Sequence, residues 1–434
     1  MAATTTLVLL VLVCLGTVLS CSAAAGGGIH MKLTHVDAKG SYTVQERVRR
    51  AAAATRQRLA SLRATSGRGV SAPVHWATRQ YIAEYLVGDP PQRAEALIDT
   101  GSDLIWTQCT TCLRSTCARQ DLPYFNASAS GSFAAVPCRD RACAANYQHL
   151  CALDGSCTFR ASYGAGSVIG FLGTDAFAFE SGAPELAFGC VSFTRITPGA
   201  LHGASGLIGL GRGRLSLVSQ TGAKRFSYCL TPYFHNDGAT SHLFVGAAAS
   251  LSGGAVTSMP FVESPKDYPF STFYYLPLVG ITVGETKLPI NSSAFELQEL
   301  FKGYWAGGVI IDSGSPFTSL VEDAYNPLSD ELARQLNGSL VPAPGENGGM
   351  ELCVARGDLD RVVPTLVFHF GGRADMVVPP ENYWAPVGKS TACMAILPAF
   401  EISIIGNFQQ QNMHILFDVG GGRFSFQNAD CSTL

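Results

Sequence analysis

The sequence predicts a mostly β protein whose body consists of two halves of similar plan. From about residue 80 the chain is made of short runs of β-forming residues broken by Gly, Pro, Asn and Ser, such as QYIAEYLVG, AEALIDTG and RFSYCL. Helical stretches are few, and the clearest covers residues 322–338. A short motif, Asp-(Thr/Ser)-Gly-Ser behind an aliphatic pair, occurs once in each half, as LIDTGS and IIDSGS.

Composition and charge narrow the class of protein. The 434 residues are 47% hydrophobic and include 46 Gly, which suits a large β-rich core and argues against a disordered chain or a coiled coil. The formal net charge of -3 is spread unevenly. Residues 1–79 contain ten Lys and Arg against two acidic residues, whereas the remainder contains 20 basic and 31 acidic residues. A basic leader ahead of an acidic body argues against nucleic-acid binding and indicates that the leader docks electrostatically on the body.

The N-terminus has the pattern of a secretory signal peptide. The apolar run at residues 7–19 is too short to span a bilayer, and small residues follow it. We therefore predict a signal peptide over residues 1–25, with a buried N-terminal core segment as the alternative. The last residues, RFSFQNADCSTL, have no hydrophobic tail, so we expect no membrane anchor.

Residues 26–79 form a separate basic region. Apolar residues from Val44 to Leu62 recur at helical spacing among several arginines, which predicts a basic amphipathic helix. A disordered or membrane-surface helix is one interpretation, and a removable pro-segment is the other. Gly67, Gly69 and Pro73 then mark an exposed stretch where the chain could be processed.

The body divides into residues 80–231 and 232–434. Each half contains one Asp motif and, about a hundred residues later, a second aliphatic-aliphatic-Gly, at residues 207–209 and 404–406. In the second half the run LPLVGITVGETKLPI predicts a hairpin that turns at Gly284-Glu285.

Cysteine usage agrees with secretion. Of 14 Cys, two lie in the first 25 residues, which leaves an even number. The step Cys109-x-x-Cys112 could indicate zinc, but behind a signal peptide disulfides are the better interpretation. Three N-glycosylation motifs begin at Asn126, Asn291 and Asn337.

The repeated motif indicates a specific chemistry. Gly101 and Gly314 permit tight loops in which backbone approaches backbone, with Asp99 and Asp312 at the tips. If the halves pack with two-fold pseudo-symmetry, the two carboxylates face each other and share one proton. One carboxylate then activates a water as general base while the other, protonated, polarises a carbonyl. Such a pair hydrolyses an amide without a covalent intermediate and works best in acid.

These motifs resemble those of the pepsin-like aspartic endopeptidases, and the cysteine-rich insertion after Trp106 resembles that of the plant nepenthesin-like group. The resemblance covers essentially the whole chain. It implies a two-lobed β fold with a substrate cleft between the lobes, and a catalytic pair formed by Asp99 and Asp312. It further implies that Thr100 and Ser313 cross-link the two loops. Supporting positions in the same motifs are Gly101, Ser102, Gly314 and Ser315.

The resemblance extends to a flap that closes over the substrate. The stretch SYGAGSVIGFLG at residues 162–173 is similar to the flap hairpin, with Tyr163 and Gly164 at its tip and Trp106 as its supporting indole. Two positions depart from many relatives, which have an acidic residue in place of Ala165 and Thr in place of Ser315. Both departures flank the site and leave the carboxylates intact.

Further expectations come from the same resemblance. It implies six disulfides, pairing Cys109 with Cys112, Cys117 with Cys190, Cys138 with Cys157, Cys143 with Cys151, Cys229 with Cys431, and Cys353 with Cys393. We expect a monomer that acts on polypeptides and uses no cofactor or metal. We expect the secretory pathway, with the apoplast favoured over the vacuole. The leader would pair with carboxylates of the body at neutral pH, cover the cleft, and be released when acid protonates those carboxylates.

Three other functions are weaker interpretations. A catalytically silent relative that binds other enzymes, such as a xylanase inhibitor, usually lacks one of the Asp motifs, and this chain has both. The Gly-rich stretches at residues 164–170 and 209–214 lack the G-x-G-x-x-G spacing and the βαβ setting of a nucleotide site. Metal-dependent hydrolysis is disfavoured because the nine His are scattered and no H-E-x-x-H occurs.

Overall fold

The computed structural model describes residues 28–66, 81–112, 116–146, 148–163, 166–232, 234, 240–345 and 349–434. The predicted signal peptide, the processing stretch around Gly67, Gly69 and Pro73, and the flap residue Gly164 lie outside these residues.

Strands dominate the described chain, as the sequence predicts. The leader contributes β1 (Ile29–His35) and α1 (Val44–Ser66). The next strands are β2 (Tyr81–Val87), β3 (Gln92–Asp99), β4 (Trp106–Gln108), β5 (Ala134–Ala135), β6 (His149–Cys151), β7 (Cys157–Tyr163), β8 (Gly166–Ala178), β9 (Glu185–Ile196), β10 (Gly206–Gly209) and β11 (Arg225–Cys229). They are followed by β12 (Ser241–Val245), β13 (Thr257–Pro260), β14 (Leu278–Val283), β15 (Thr286–Lys287), β16 (Leu297–Phe301), β17 (Tyr304–Gly307), β18 (Val309–Asp312), β19 (Thr318–Val321), β20 (Cys353–Ala355), β21 (Leu366–Phe370), β22 (Ala374–Val378), β23 (Trp384–Pro386), β24 (Thr391–Met394), β25 (Ile396–Ala399), β26 (Ser403–Gly406), β27 (Met413–Asp418) and β28 (Arg423–Asn428). The other helices are α2 (Arg141–Ala144), α3 (Leu217–Gln220), α4 (Glu322–Gln335) and α5 (Leu359–Val362).

One 15-stranded sheet runs through the molecule. Its order is β13-β28-β27-β11-β12-β1-β2-β3-β10-β4-β9-β8-β7-β6, with β5 paired to β8. Strands from both ends of the chain therefore belong to it. Separate small sheets complete the second half, among them β18-β26-β19-β25 and β15-β14-β21-β22. The predicted hairpin is confirmed as β14–β15, and the predicted helix of the second half is α4.

The leader is an integral part of this sheet. Strand β1 lies between β12 and β2 and is antiparallel to both. Helix α1 begins with a capping box, because the Glu46 amide donates to Thr43 Oγ1 at 3.2 Å and the Thr43 amide donates to Glu46 Oε2 at 2.7 Å. Its apolar face is buried, with Val48, Ala51 and Ala52 in the main core. The amphipathic pattern of the sequence thus predicts this helix correctly.

A histidine pair lies where β1 meets the body. His30 Nε2 is 3.0 Å from His242 Nδ1, and the His30 ring stacks on Phe244 at 4.7 Å. Burial lowers the pKa of both His30 and His242, and nearby Lys32 lowers each further. Glu180, which pairs with Lys32 at 2.8 Å, acts on both rings in the opposite direction. Neutral imidazoles therefore suit the docked leader strand.

The two Asp motifs are held in matching parallel ladders. Strand β3 pairs with β10 so that Asp99 lies opposite Gly209, and β18 pairs with β26 so that Asp312 lies opposite Gly406. The aliphatic pairs that precede each Asp and each Gly are buried. Burying one such Ile or Leu side chain contributes about 1.5–3 kcal/mol, so the four pairs anchor both loops firmly. The larger repeat seen in the sequence is thereby confirmed as a structural repeat.

The disulfides correct four of the implied pairs. Cys109 does not pair with Cys112, because β4 runs parallel to β9 and brings Cys109 beside Cys190, with Cα atoms 5.5 Å apart. Cys112 instead pairs with Cys117, which the implied pairing joined to Cys190.

The second correction follows from burial. Cys143 on α2 and Cys157 on β7 are both fully buried and form one disulfide. Cys151, which faces solvent, pairs with the partly buried Cys138. The implied pairs Cys138–Cys157 and Cys143–Cys151 are therefore wrong. The two remaining implied disulfides are present, as Cys229–Cys431 and Cys353–Cys393.

Candidate active site

The two Asp loops make equivalent contacts around their carboxylates. Asp99 is 1% exposed and Asp312 is 0% exposed. Oδ1 of Asp99 accepts from the amide of Gly101 at 2.9 Å, and Oδ1 of Asp312 accepts from the amide of Gly314 at 2.8 Å. Each carboxylate is thus oriented by the backbone of its own loop, through the amide of the glycine two residues after the Asp.

A reciprocal pair of hydrogen bonds joins the loops. The amide of Ser313 donates to Thr100 Oγ1 at 2.9 Å, and the amide of Thr100 donates to Ser313 Oγ at 3.2 Å. The Thr100 hydroxyl also donates to the carbonyl of Ile311 at 3.4 Å. All three residues are buried, so these bonds fix the distance between the halves at the level of the carboxylates.

Glycine leaves room for close neighbours in each loop, which are the Asp99 carboxylate beside Gly314 and the Arg58 guanidinium, at 1.8 Å from a Cβ, beside Gly101. A Cβ on Gly314 would lie 2.4 Å from Oδ1 of Asp99, and one on Gly101 would lie 3.2 Å from Oδ1 of Asp312. The two carboxylates therefore reach across to each other's loops, which is the juxtaposition that the repeat predicts.

The two supporting serines differ. Ser315 Oγ donates to Oδ2 of Asp312 at 2.9 Å. The equivalent Ser102 hydroxyl is buried and lowers the pKa of Asp99, yet within the described chain no acceptor or donor satisfies the hydrogen-bond geometry with it. The loops are thus symmetric in backbone and asymmetric in hydroxyl contacts.

Burial dominates the electrostatics of the pair. Burial is the largest effect, Arg58 lowers the pKa of Asp99 and the charge of Asp312 raises it, and together these effects raise it to about 6. A carboxyl with this pKa holds a proton in mild acid, which is the state that a shared-proton pair requires.

Arg58 of the leader reaches into this pair. Its Nε donates to Oδ2 of Asp312 at 2.9 Å, and its Nη2 donates to the carbonyl of Gly101 at 3.2 Å. Burial alone lowers the pKa of the guanidinium, but the charges of Asp312 and Asp99 outweigh burial and raise it. One turn earlier, Thr55 Oγ1 accepts from the amide of Phe317 at 3.0 Å. Helix α1 therefore covers both loops.

The hairpin predicted as the flap is formed by β7 and β8, with Tyr163 opposite Gly166 at its end. The Tyr163 ring lies 6.1 Å from the buried indole of Trp106, centroid to centroid. Burial raises the pKa of Tyr163, and the charge of Asp99 contributes to that rise. The structure thus brings Tyr163, Trp106 and the first Asp loop together.

Sequence reasoning missed two residues at this site. Arg58 is one of ten basic residues in the leader, and nothing in the surrounding sequence distinguishes it from the others. Asp103 follows Asp99 by four residues and its carboxylate links different parts of the chain. The sequence did contain a sign of Asp103. The stretch GLGRG at residues 209–213 has three alternate glycines, and their spacing does not fit a nucleotide site.

Other predicted positions lie away from the carboxylates. Asn291 and Asn337 are exposed, whereas Asn126 is partly buried and its side-chain oxygen accepts from Ser128 Oγ at 2.8 Å. In the part of the chain that the structure describes, no helix is long and apolar enough to cross a membrane. No cluster of three or more His, Cys, Asp or Glu suited to a metal ion occurs among those same residues.

Comparison with known proteins defines the class and then the family. The fold is that of the pepsin-like aspartic proteases. Solved structures of this kind include edgp, with a TM-score of 0.69 and 15% identity over 94% of this chain and 96% of that chain. Another is basic 7S globulin from soybean, with a TM-score of 0.66 and 14% identity over 93% and 97% of the two chains.

Sequence relatives identify the family. Residues 81–247 match the family described as Xylanase inhibitor N-terminal, and residues 273–428 match Xylanase inhibitor C-terminal. Aspartic proteinase nepenthesin-1 of Nepenthes gracilis is 36% identical over 93% of this chain and 90% of its own. Aspartyl protease 37 of Oryza sativa subsp. japonica is 32% identical over 98% and 99%. The chain therefore belongs to the family of plant aspartic proteases that includes the nepenthesins.

Proposed function

We propose that this aspartic endopeptidase hydrolyses peptide bonds with a water activated between Asp99 and Asp312. The observation that carries the proposal is the paired loop geometry, in which two buried carboxylates are each fixed by a backbone amide and approach each other's glycine. Buried like charges at this proximity favour a single shared proton.

Each residue has a definable role in this mechanism. The unprotonated carboxylate of the pair takes a proton from water as the oxygen attacks the peptide carbonyl, and the protonated carboxyl donates to the carbonyl oxygen. Thr100 and Ser313 hold the two groups at a fixed separation. Tyr163 on the β7–β8 hairpin, supported by the ring of Trp106, would close over a substrate and exclude bulk water. Extended polypeptides would bind between an N-terminal lobe of residues 80–231 and a C-terminal lobe of residues 232–434.

The reaction is proposed to be fastest in acid. Two contributions point the same way. The raised pKa of Asp99 favours the singly protonated pair as the pH falls towards 6. At neutral pH the docked leader blocks the pair, because Arg58 holds Asp312.

Residues 26–79 are proposed to be an inhibitory pro-segment. Basic residues in the described part of the leader pair with carboxylates of the body, among them Lys32 with Glu180, Lys39 with Glu95 and Asp121, and Arg58 with Asp312. Protonating these acids would weaken each pair, so acid favours release of the leader. The charge asymmetry of the sequence agrees with this arrangement.

The chain is proposed to act as a monomer after secretion. A signal peptide over residues 1–25 and six disulfides suit an oxidising compartment. The apoplast is favoured, and glycans at the exposed Asn291 and Asn337 would be compatible with the fold.

A direct assay tests the catalytic proposal. The secreted full-length chain is incubated with denatured haemoglobin from pH 2 to 7, with and without pepstatin. Asp99→Ala and Asp312→Ala are compared with Asp154→Ala, an exposed carboxylate that accepts from its own turn at Ser156. We expect acid-peaked, pepstatin-sensitive cleavage that both active-site variants lose and the control keeps. Full activity in either active-site variant would refute the proposal.

The alternative is an enzyme-binding protein on the same fold. The matching families are described as xylanase inhibitors, which is the observation in its favour. Folded protein from which the leader has been removed, with no cleavage at any pH, would support this alternative.

A further inference from the structure

Asp103 is a second acid of the first Asp loop, and the reaction described above gives it no role. It follows Asp99 by four residues and is partly buried. Burial raises its pKa, while hydrogen bonds from Thr272 and from the Gly213 amide lower it. Burying a carboxylate costs free energy unless its oxygens are hydrogen-bonded, so the partners of Asp103 indicate what it does beside the reacting pair.

Its two oxygens bind different parts of the chain. Oδ1 accepts from the amide of Gly213 at 2.7 Å, in the segment that follows β10. Oδ2 accepts from Thr272 Oγ1 at 2.8 Å, in the second half of the molecule, 169 residues away. The carboxylate therefore bridges the first Asp loop, the strand end beside it, and the other half.

The alternate glycines of GLGRG make room for this side chain. A Cβ on Gly211 would lie 2.4 Å from Asp103 Oδ1, and one on Gly213 would lie 2.3 Å from Oδ2. A Cβ on Gly209 would lie 2.3 Å from the Asp103 carbonyl carbon. Gly211 and Gly213 are thus explained by the space that the Asp103 side chain occupies, and Gly209 by the close approach of the loop backbone, without nucleotide binding.

Thr272 passes the contact on to the second Asp. The segment after it runs beside β18, where the amide of Ile311 donates to the carbonyl of Tyr274 at 3.1 Å. The Tyr274 hydroxyl in turn donates to the carbonyl of Leu210 at 2.9 Å. Asp312 is the residue after Ile311. The segment of residues 272–274 is therefore hydrogen-bonded to the loop of one Asp at Thr272 and to the strand of the other at Tyr274.

We propose that Asp103 is a positioning residue, which sets the separation of Asp99 and Asp312 through Thr272 in addition to the Thr100–Ser313 bonds. The proposal rests on the proposed catalytic pair. It differs from a purely structural role in one respect. Loss of Asp103 changes the chemistry of correctly folded molecules, because the spacing of two like charges determines how tightly they share a proton.

The test measures activity per folded active site. Full-length Asp103→Ala, Asp103→Asn and Thr272→Val are secreted, acid-activated and titrated with pepstatin. Then kcat and KM are measured against pH on a fluorogenic peptide that the wild type cleaves. Asp154→Ala is the matched control, because Asp154 also accepts one amide and one hydroxyl, at 2.9 and 2.7 Å, but is exposed.

We expect Asp103→Ala to lower kcat per titrated site about tenfold or more, with KM changed less than about threefold and the pH profile displaced. Asp103→Asn keeps the shape and one acceptor, so we expect it to recover most of the loss. Combining Thr272→Val with Asp103→Ala should add little, since both remove one link.

Two results would overturn the proposal. One is an Asp103→Ala enzyme of low yield whose titrated sites keep the wild-type kcat and pH profile, which would make the residue structural only. The other is Asp103→Asn as inactive as Asp103→Ala, which would require the charge itself. An inactive wild type would instead count against the catalytic proposal, so the two failures are distinguishable.

Discussion

Replacing Arg58 with Gln should make the full-length chain active while its leader is still attached. The Arg58 side chain is 12% exposed and its partner Asp312 is 0% exposed, with 2.9 Å between Nε and Oδ2. Removing one partner of a buried, hydrogen-bonded ion pair typically costs about 3–5 kcal/mol, because the other charge is left without compensation. Since about 1.4 kcal/mol corresponds to a tenfold change, the equilibrium constant for docking of the leader should fall by at least about a hundredfold.

A matched control is available in the same leader. Lys32 and Glu180 form an ion pair at 2.8 Å whose side chains are 57% and 48% exposed. Exposed pairs contribute about 1 kcal/mol or less, so Lys32→Gln should change the equilibrium by less than about fivefold.

The assay is the initial rate of unprocessed full-length chain on a short fluorogenic peptide near pH 6. We expect the wild type and Lys32→Gln to be latent and Arg58→Gln to cleave at once. Arg58→Lys, which keeps the charge but not the two-pronged geometry, should be intermediate. An Arg58→Gln chain as latent as the wild type would show that the buried pair does not hold the leader.

Three more predictions follow from the same structure. His30→Phe should lower the pH at which the leader is processed. Docking lowers the pKa of His30 and of His242, so their protonation as the pH falls below about 6.5 opposes the docked strand. An unchanged midpoint of processing, followed on gels, would contradict this. Asp99→Asn should raise Tm at pH 7 but not below pH 4, since the raised pKa of Asp99 means that ionisation stabilises the unfolded chain more than the folded one as pH rises through about 6; an equal gain at both pH values would be inconsistent with it. Replacing Cys229 and Cys431 together with Ala should lower the free energy of unfolding by up to about 5 kcal/mol, because that disulfide closes the longest loop, with a separation of 202; a loss below about 1 kcal/mol in guanidinium unfolding would argue against the loop-closure account.

The repeated Asp motif made the catalytic pair predictable, together with most of the fold around it. Asp99 and Asp312 were identifiable because chemistry, glycine and aliphatic spacing agree in both halves, and the ladders with Gly209 and Gly406 follow the same frame. Helix α1 was predictable because its apolar spacing and its cap at Thr43 are local features of the chain.

Features that depend on tertiary contacts were not predictable in the same way. Which cysteines pair depends on strand neighbours and on burial, so Cys109 joined Cys190 across β4 and β9 rather than the nearby Cys112. Which basic residue of the leader meets Asp312 depends on how α1 docks, and only the structure singles out Arg58. The role of Asp103 requires knowing that Thr272 lies beside it.

The large sheet sets an order of events for the newly made chain. Strand β1 lies four positions from β28 in that sheet, and β11 is joined directly to β27. The sheet cannot be completed until β27 and β28 have been synthesised, and β1, which can pair early with β2, gains its other partner only when β12 has been made. Such non-local pairing predicts slow folding that finishes after translation. Deleting only the last strand should therefore leave β13 and β27 without their shared partner and prevent completion of that end of the large sheet.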